Sequence, residues 1–446
     1  MEYPGTRFTF AFRRAFLLAL IALFFVVSPI IIAYTAGYRY DFKNGFLKQT
    51  GAISVDVEPK NAALYLNGIK IKSKMPVRLN NIAPAKYSLR ITAPGYADWN
   101  KEIEVFNKLT VYIKEISLLK KNARPLLAAP GQIAALALSS DGRYILFASS
   151  ADGKIWLLNT KTEALASVTT MPKTLPSLAW AKEKNCASVT GNDVVYAFCL
   201  PAGRQAPDNP GKIYNLTKIA GVKIIKTQWG DGSRPSLYYQ TRDGLFAFSP
   251  ANGRAQKISE RDFYDWYMDN GQLWTLTFAT SSHNLLVKKD ALGFQSEIGQ
   301  LENTEDWRLL YAERDSALLK KNNASEMMLV TRDKKFAFAG DKFYISPYNN
   351  WWLMWTPWEL WTYSAGEEPY LLNRSGENLM NVFPLDKHNT LALVWKNKIT
   401  ALFPYYYVTH ELADGNAAVA AADPGQKALY YVDKIGNVEG LWRLEY

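Results

Sequence analysis

Cysteine and histidine are the scarcest informative residues in this 446-residue chain. Two cysteines, Cys186 and Cys199, are too few for a disulfide framework or a four-cysteine zinc site. Three histidines, His283, His388 and His410, stand singly, with no His-Glu-x-x-His and no Cys/His cluster. There is no Gly-x-Ser-x-Gly elbow, which removes that hydrolase signature. No glycine-rich phosphate loop opens a helix, because no soluble helix is evident. The sequence therefore predicts no catalytic residue, no metal and no cofactor. Asp-Gly pairs at Asp141, Asp152, Asp243 and Asp414 read as turns, since the alternating acidic ligands of a calcium loop are missing.

Charge is also missing, from one place above all. Residues 15–36, AFLLALIALFFVVSPIIIAYTA, carry no charged side chain over 22 positions. As a helix at about 1.5 Å per residue, the run covers roughly 33 Å, enough for a bilayer core. It exceeds the apolar region of a cleaved signal, so it is expected to be an uncleaved single transmembrane anchor. Residues 1–14 are then a cytoplasmic tail. Arg7, Arg13 and Arg14 face Arg39, Lys43 and Lys48 across the span, and the adjacent arginine pair with the α-amino group tips the balance toward an extracytoplasmic C-terminal part.

The net charge of +11 is unevenly spread. Residues 1–121 hold 18 Lys/Arg against 8 Asp/Glu, whereas residues 122–446 hold 34 against 33. The basic excess thus sits near the membrane, where it suits lipid headgroups, wall polymers or plain solvation, and no nucleic-acid partner is expected.

After a juxtamembrane segment, 37–50, residues 51–121 alternate as strands. Asn67-Gly68 marks a tight hairpin that sets Leu66 opposite Ile69 and Leu64 opposite Ile71, with Tyr65 and Lys70 on the other face. A second strand runs through Tyr87, Leu89 and Ile91, and a third through Ile103, Val105, Val111, Ile113 and Ile116. With Pro59-Lys60-Asn61-Ala62, Leu64-Tyr65-Leu66-Asn67-Gly68, Met75-Pro76, and Gly95-Tyr96 followed by Trp99, this stretch resembles a PEGA domain. Lys60 and Asn61 replace the name-giving Glu and Gly, and Ala85 stands where a Gly is usual. The resemblance implies a small β-sandwich, an accessory module of bacterial surface proteins for surface or wall components, without catalytic residues.

Residues 122–446 repeat at about 31 to 48 residues, the period of four-stranded propeller blades. The first block has strands at 133–138, 144–148 and 155–159 and a fourth near 166–169. With Ser140-Asp141-Gly142-Arg143-Tyr144 and Lys154-Ile155-Trp156, it resembles a blade of WD40-like or TolB-type propellers. Later blocks begin near Ser177, Ile224, Phe263, Trp307, Phe343, Asn381 and Ala417. That makes eight blades, or seven if the indistinct divisions near Trp307 and Phe343 merge. The last block has only three strands, so residues 123–128 are expected to pair with 440–444 and close the ring. The predicted fold is therefore all-β: a transmembrane helix, a PEGA-like sandwich at 51–121 and a propeller at 122–446.

Two constellations remain. Trp351, Trp352, Trp355, Trp358 and Trp361 are a candidate ligand-stacking group, but strand alternation puts Trp352 opposite Trp351 and Trp355, so packing between blades is the competing reading. Cys186 and Cys199 flank a hairpin turn at residues 191–193. If Asn192-Asp193 is the turn, the cysteines face each other and a disulfide is expected; if Gly191-Asn192 is, they meet only diagonally. The chain is expected to be a non-enzymatic, membrane-anchored binding or scaffold protein for wall polysaccharide or a protein partner. The alternative is an envelope enzyme acting on glycans with carboxylates in the propeller channel.

Overall fold

Strands alternate and turns recur along nearly the whole chain after residue 37, and a computed structural model shows what they build. It describes residues 10–35, 38–41, 46–171, 175–201, 210–231, 235–278, 283–290, 292–302, 307–348, 350–415 and 419–446. Ala417, the expected start of the last block, and Arg7, Gly37 and Lys43 lie outside these. The chain divides into two compact units, Met1–Lys121 and Asn122–Tyr446.

In the first unit a helix spans Phe10–Thr35, starting earlier than the uncharged run because Arg13 and Arg14 continue it. Its stretch from Phe12 to Thr35 is long and apolar enough to cross a membrane. A short hairpin pairs Tyr38–Asp41 with Phe46–Gln49. Next comes a sandwich of two sheets. One has Gly51–Glu58 in the middle, antiparallel to Val77–Ile82 and parallel to Thr110–Ser117. The other runs Ile69–Lys70, Ala63–Leu66, Ala85–Thr92, Trp99–Val105.

Alternation explains the core: Ile53, Val55, Val57, Leu64, Leu89, Ile91 and Trp99 are buried from the two inner faces. The hairpin at Asn67-Gly68 has the expected register, both turn residues at positive φ. Its outer strand is an edge, however, and Ile69 is exposed there although Leu64 is buried. The expected third strand is really two. A turn at residues 106–109 breaks it, and its halves, Trp99–Val105 and Thr110–Ser117, join different sheets. Apolar alternation on both sides of the turn conceals the change of sheet.

The second unit is a ring of eight four-stranded antiparallel sheets. Blades 1 to 7 occupy residues 133–170, 177–215, 226–259, 265–302, 307–339, 342–374 and 379–414. Blade 8 takes Ala420–Asp423, Ala428–Ile435 and Val438–Glu445, and borrows Leu126–Pro130 as its outer strand. Leu126 pairs with Arg443 and Pro130 with Gly440, so the ring closes as expected, two to three residues further along the chain. The divisions near Trp307 and Phe343 are real, which sets the count at eight.

The core is a series of layers between blades. Ala129, Phe147, Tyr430 and Leu441 fill the seam of blades 8 and 1, while Leu146, Leu157, Val189 and Phe198 fill that of blades 1 and 2. Successive residues on a strand point to opposite faces, so each strand feeds two layers. One short helix, Leu216–Ala220, departs from the all-strand expectation. Asn215 caps its start by accepting from the Lys218 amide, and Gly221 ends it at φ +68.

Candidate functional site

In each blade the turn between first and second strands and the turn between third and fourth open at the same end of the ring. We call that end the front. The back carries the second-to-third turns and the links between blades. Back turns are mostly tight hairpins, such as those at Gly153 (φ +70) and Gly436 (φ +61). Front turns range from two residues, at Asn270-Gly271 and Arg314-Asp315, to the long connection from Cys199 to Tyr214, and some of them border two cavities of about 460 and 300 Å³.

The larger cavity lies across the front turns of blades 1 to 3. Asp141 organises its rim. Its Oδ2 accepts from Arg143 Nε at 2.6 Å and Asn185 Nδ2 at 3.0 Å, and its Oδ1 from Ser139 Oγ at 2.8 Å and the Arg143 amide. Burial alone would raise the Asp141 pKa, but these donors outweigh it and hold the carboxyl below its usual range. Cys186 and Cys199 form part of the wall, paired face to face and disulfide-bonded. Gly191 donates to Val194, so Asn192-Asp193 is the turn. The adjacent Gly142 approaches blade 8 so closely that a Cβ there would lie 2.2 Å from Asp423 Oδ2.

At the channel mouth, carboxylates end the inner strands of neighbouring blades. Asp269 and Glu313 are the last residues of Asp265–Asp269 and Trp307–Glu313, and Asp231 follows Lys226–Trp229. Burial pushes the Asp269 pKa up, and the charges of Asp231 and Glu313 add to this, against hydrogen bonding by the Arg314 amide and the charge of Lys182. Lys182 pairs with Asp231 at 3.0 Å and sits 5.8 Å above the Tyr311 ring. The Tyr311 hydroxyl donates to Glu313 Oε2 at 3.0 Å, and Asn270 Nδ2 donates to Asp269 Oδ1 at 3.0 Å. Tyr267 and Tyr311 stack edge to face at 5.3 Å, and burial drives both phenols far above their usual pKa. No local pattern in the sequence marks these carboxylates, because Asp231, Asp269 and Glu313 belong to different blades; their shared signal is an acidic residue at or just after the end of an inner strand.

Toward the back of the channel, Lys226 Nζ donates to Asp265 Oδ1 at 2.7 Å and to the carbonyls of Trp266 and Leu309 at 2.6 and 3.0 Å. Asp265 Oδ2 accepts from the Leu309 amide at 2.7 Å. Burial lowers the Lys226 pKa and the Asp265 charge opposes it. The pair ties the inner strands of blades 3, 4 and 5.

The five tryptophans do not come together as a platform. Trp351 and Trp355 pack between blades 6 and 7, and Trp352 packs between blades 5 and 6 with Met354, Tyr363 and Tyr311. Trp361 is half-buried beside that second layer and donates to Glu359. Trp358 alone is exposed, in a back turn. His410 is half-buried against Phe403, which lowers its pKa. Among the described residues, no three His, Cys, Asp or Glu side chains converge to hold a metal ion.

The architecture defines the class: a β-propeller preceded by a small β-sandwich and an apolar helix. The sandwich is a PEGA domain, whose model matches residues 50–118. No curated protein sequence matches the chain. Similar solved structures include the WD40 domain of SCAP from fission yeast, at 9% identity and TM-score 0.42, covering 73% of this chain and 98% of that one. Streptogramin B lyase gives 11%, 0.39, 72% and 98%, and Porphyromonas gingivalis dipeptidyl peptidase 4 gives 9%, 0.44, 70% and 56%.

Proposed function

We propose that this chain is a non-enzymatic, membrane-anchored binding or scaffold protein. It presents its PEGA domain and propeller outside the membrane to cell-envelope components, a wall polysaccharide or a protein partner. What supports binding over catalysis is that the channel-mouth carboxylates are already engaged within the ring: Asp231 by Lys182, Glu313 by Tyr311 and Asp269 by Asn270. The Cys186–Cys199 disulfide suits an oxidising exterior. External protease on intact or wall-stripped cells is expected to degrade the propeller. Protection until lysis would sink the outward topology.

One observation favours the second reading, an envelope enzyme acting on glycans. Asp269 is buried beside two further carboxylates with its pKa raised, the property a general acid needs. Purified full-length chain incubated with wall polysaccharide distinguishes the two. Retention without release of soluble sugar is expected; sugar release that Asp269→Asn abolishes would establish the enzyme.

A further inference from the structure

The front of blades 6 and 7 carries aromatic surface unlike the tryptophan layers beneath it. Tyr370 opens the fourth strand of blade 6, and Tyr405 and Tyr407 lie in the front turn of blade 7. They are 40%, 57% and 65% exposed. All three stand at the same end of adjacent blades, and Glu367 is exposed in the turn just before Tyr370. The buried Trp351 meets the Tyr405 ring edge to face at 5.6 Å, so that ring rests on a fixed support.

The backbone fixes how Tyr407 is presented. Tyr407 has φ +50, a left-handed conformation in which a side chain costs about 1–2 kcal/mol. Just before the fourth strand of blade 3, the same place holds Gly253 at φ +67. Glycine would serve the turn in blade 7 at no such cost, yet the position carries a large exposed ring. Non-glycine residues at positive φ recur in the turns of this ring, Glu163 at φ 58 and Lys427 at φ 48 among them, so what sets Tyr407 apart is the exposed ring that the turn presents.

We propose that Tyr370, Tyr405 and Tyr407 form a stacking platform for a neutral glycan chain, with Glu367 accepting sugar hydroxyls at its edge. Pyranose rings present C–H faces that stack on aromatic rings, while phenol hydroxyls and a carboxylate satisfy the sugar's rim. The large exposed side chains here are three tyrosine rings with a carboxylate in the turn beside them, a set that matches the C–H face and hydroxyl rim of a sugar. Tyrosine also loses little conformational freedom on binding. The proposal rests on the polysaccharide form of the binding function above.

The test uses full-length chain in detergent with chitin, cellulose and amylose as immobilised probes. Wild-type protein is expected to bind at least one, and Tyr405→Ala and Tyr407→Gly are each expected to weaken that binding about tenfold. Tyr407→Gly should hold or raise the melting temperature, which excludes unfolding as the cause. Trp358→Ala, at the back, should leave affinity unchanged. Binding that both tyrosine variants retain would overturn the platform and leave the binding function standing. Failure to bind any of the three glycans, with retention on protein-bearing wall fragments, would overturn the platform and turn the function toward a protein partner. Failure on every probe would remove both.

Discussion

The two ends of the propeller channel handle buried charge in opposite ways. Toward the back, Lys226 and Asp265 neutralise each other, and backbone groups of Trp266 and Leu309 complete their hydrogen bonding. At the front, Asp231, Asp269 and Glu313 stand at the ends of neighbouring inner strands, Lys182 pairs with Asp231, Arg314 Nε lies 3.9 Å from Glu313 Oε1, and Asp269 is held toward its protonated form. A buried pair with every donor and acceptor matched secures the ring, whereas crowded like charges cost stability and are expected where a surface serves something other than folding. The front also holds the cavities, the disulfide and the exposed tyrosines, while the back is built from economical hairpins.

Three sets of substitutions sharpen or break this contrast. The largest effect is expected at the back. Lys226→Met strands the Asp265 carboxylate and should cost about 3–5 kcal/mol of unfolding free energy, with Lys226→Met/Asp265→Leu costing much less. Chemical denaturation of both variants checks this; equal losses would mean that the pair is not the coupled unit described here.

Next come two glycines with similar backbone conformation, one at each end. Gly142 in the front turn of blade 1 has φ +69, and Gly436 in a back turn of blade 8 has φ +61. A Cβ on Gly436 meets nothing within 4 Å, so Gly436→Ala should cost only the backbone strain, about 1 kcal/mol. A Cβ on Gly142 runs into the Asp423 carboxylate, which the Gly425 and Gln426 amides hold in place. Gly142→Ala should therefore cost about 2–4 kcal/mol, since it also disturbs the closing seam. Similar melting temperatures for the two would show that the seam is loose.

The smallest effect concerns Asp269. Its folded pKa lies above the unfolded value, so the native state holds more protons, and stability falls as pH rises through the interval between them. Asp269→Asn should keep the contact with the Arg314 amide, raise the melting temperature by about 2–4 °C at neutral pH, and differ little from wild type below the carboxylate range. A wild-type protein equally or more stable at neutral pH would mean that the front charges are balanced.

Much of this molecule was legible locally. The register at Asn67-Gly68 follows from two turn residues and an alternating pattern, and so does the cysteine pairing once Asn192-Asp193 is chosen as the turn. Turn spacing gave eight blocks, with seven left open at Trp307 and Phe343. What escaped was a change of sheet inside an alternating run and a helix of a single turn. The stretch from Ile103 to Ile116 read as one strand because alternation is indifferent to a change of sheet. Leu216–Ala220 was overlooked because so short a helix shows no periodicity, although Asn215 and Gly221 mark its ends.

The sequence by itself determined an apolar helix long enough for a membrane, a PEGA module, a repeating β domain and a last block one strand short. Each is a matter of composition, period or turn chemistry, which act over neighbouring residues. Only the tertiary structure decided that the strand closing blade 8 is Leu126–Pro130 rather than residues 123–128, between which blades each tryptophan packs, and that Asp231, Asp269 and Glu313 stand at the ends of neighbouring inner strands at one mouth. These residues lie tens to hundreds of positions apart. Their proximity is created by ring closure, which no local pattern encodes.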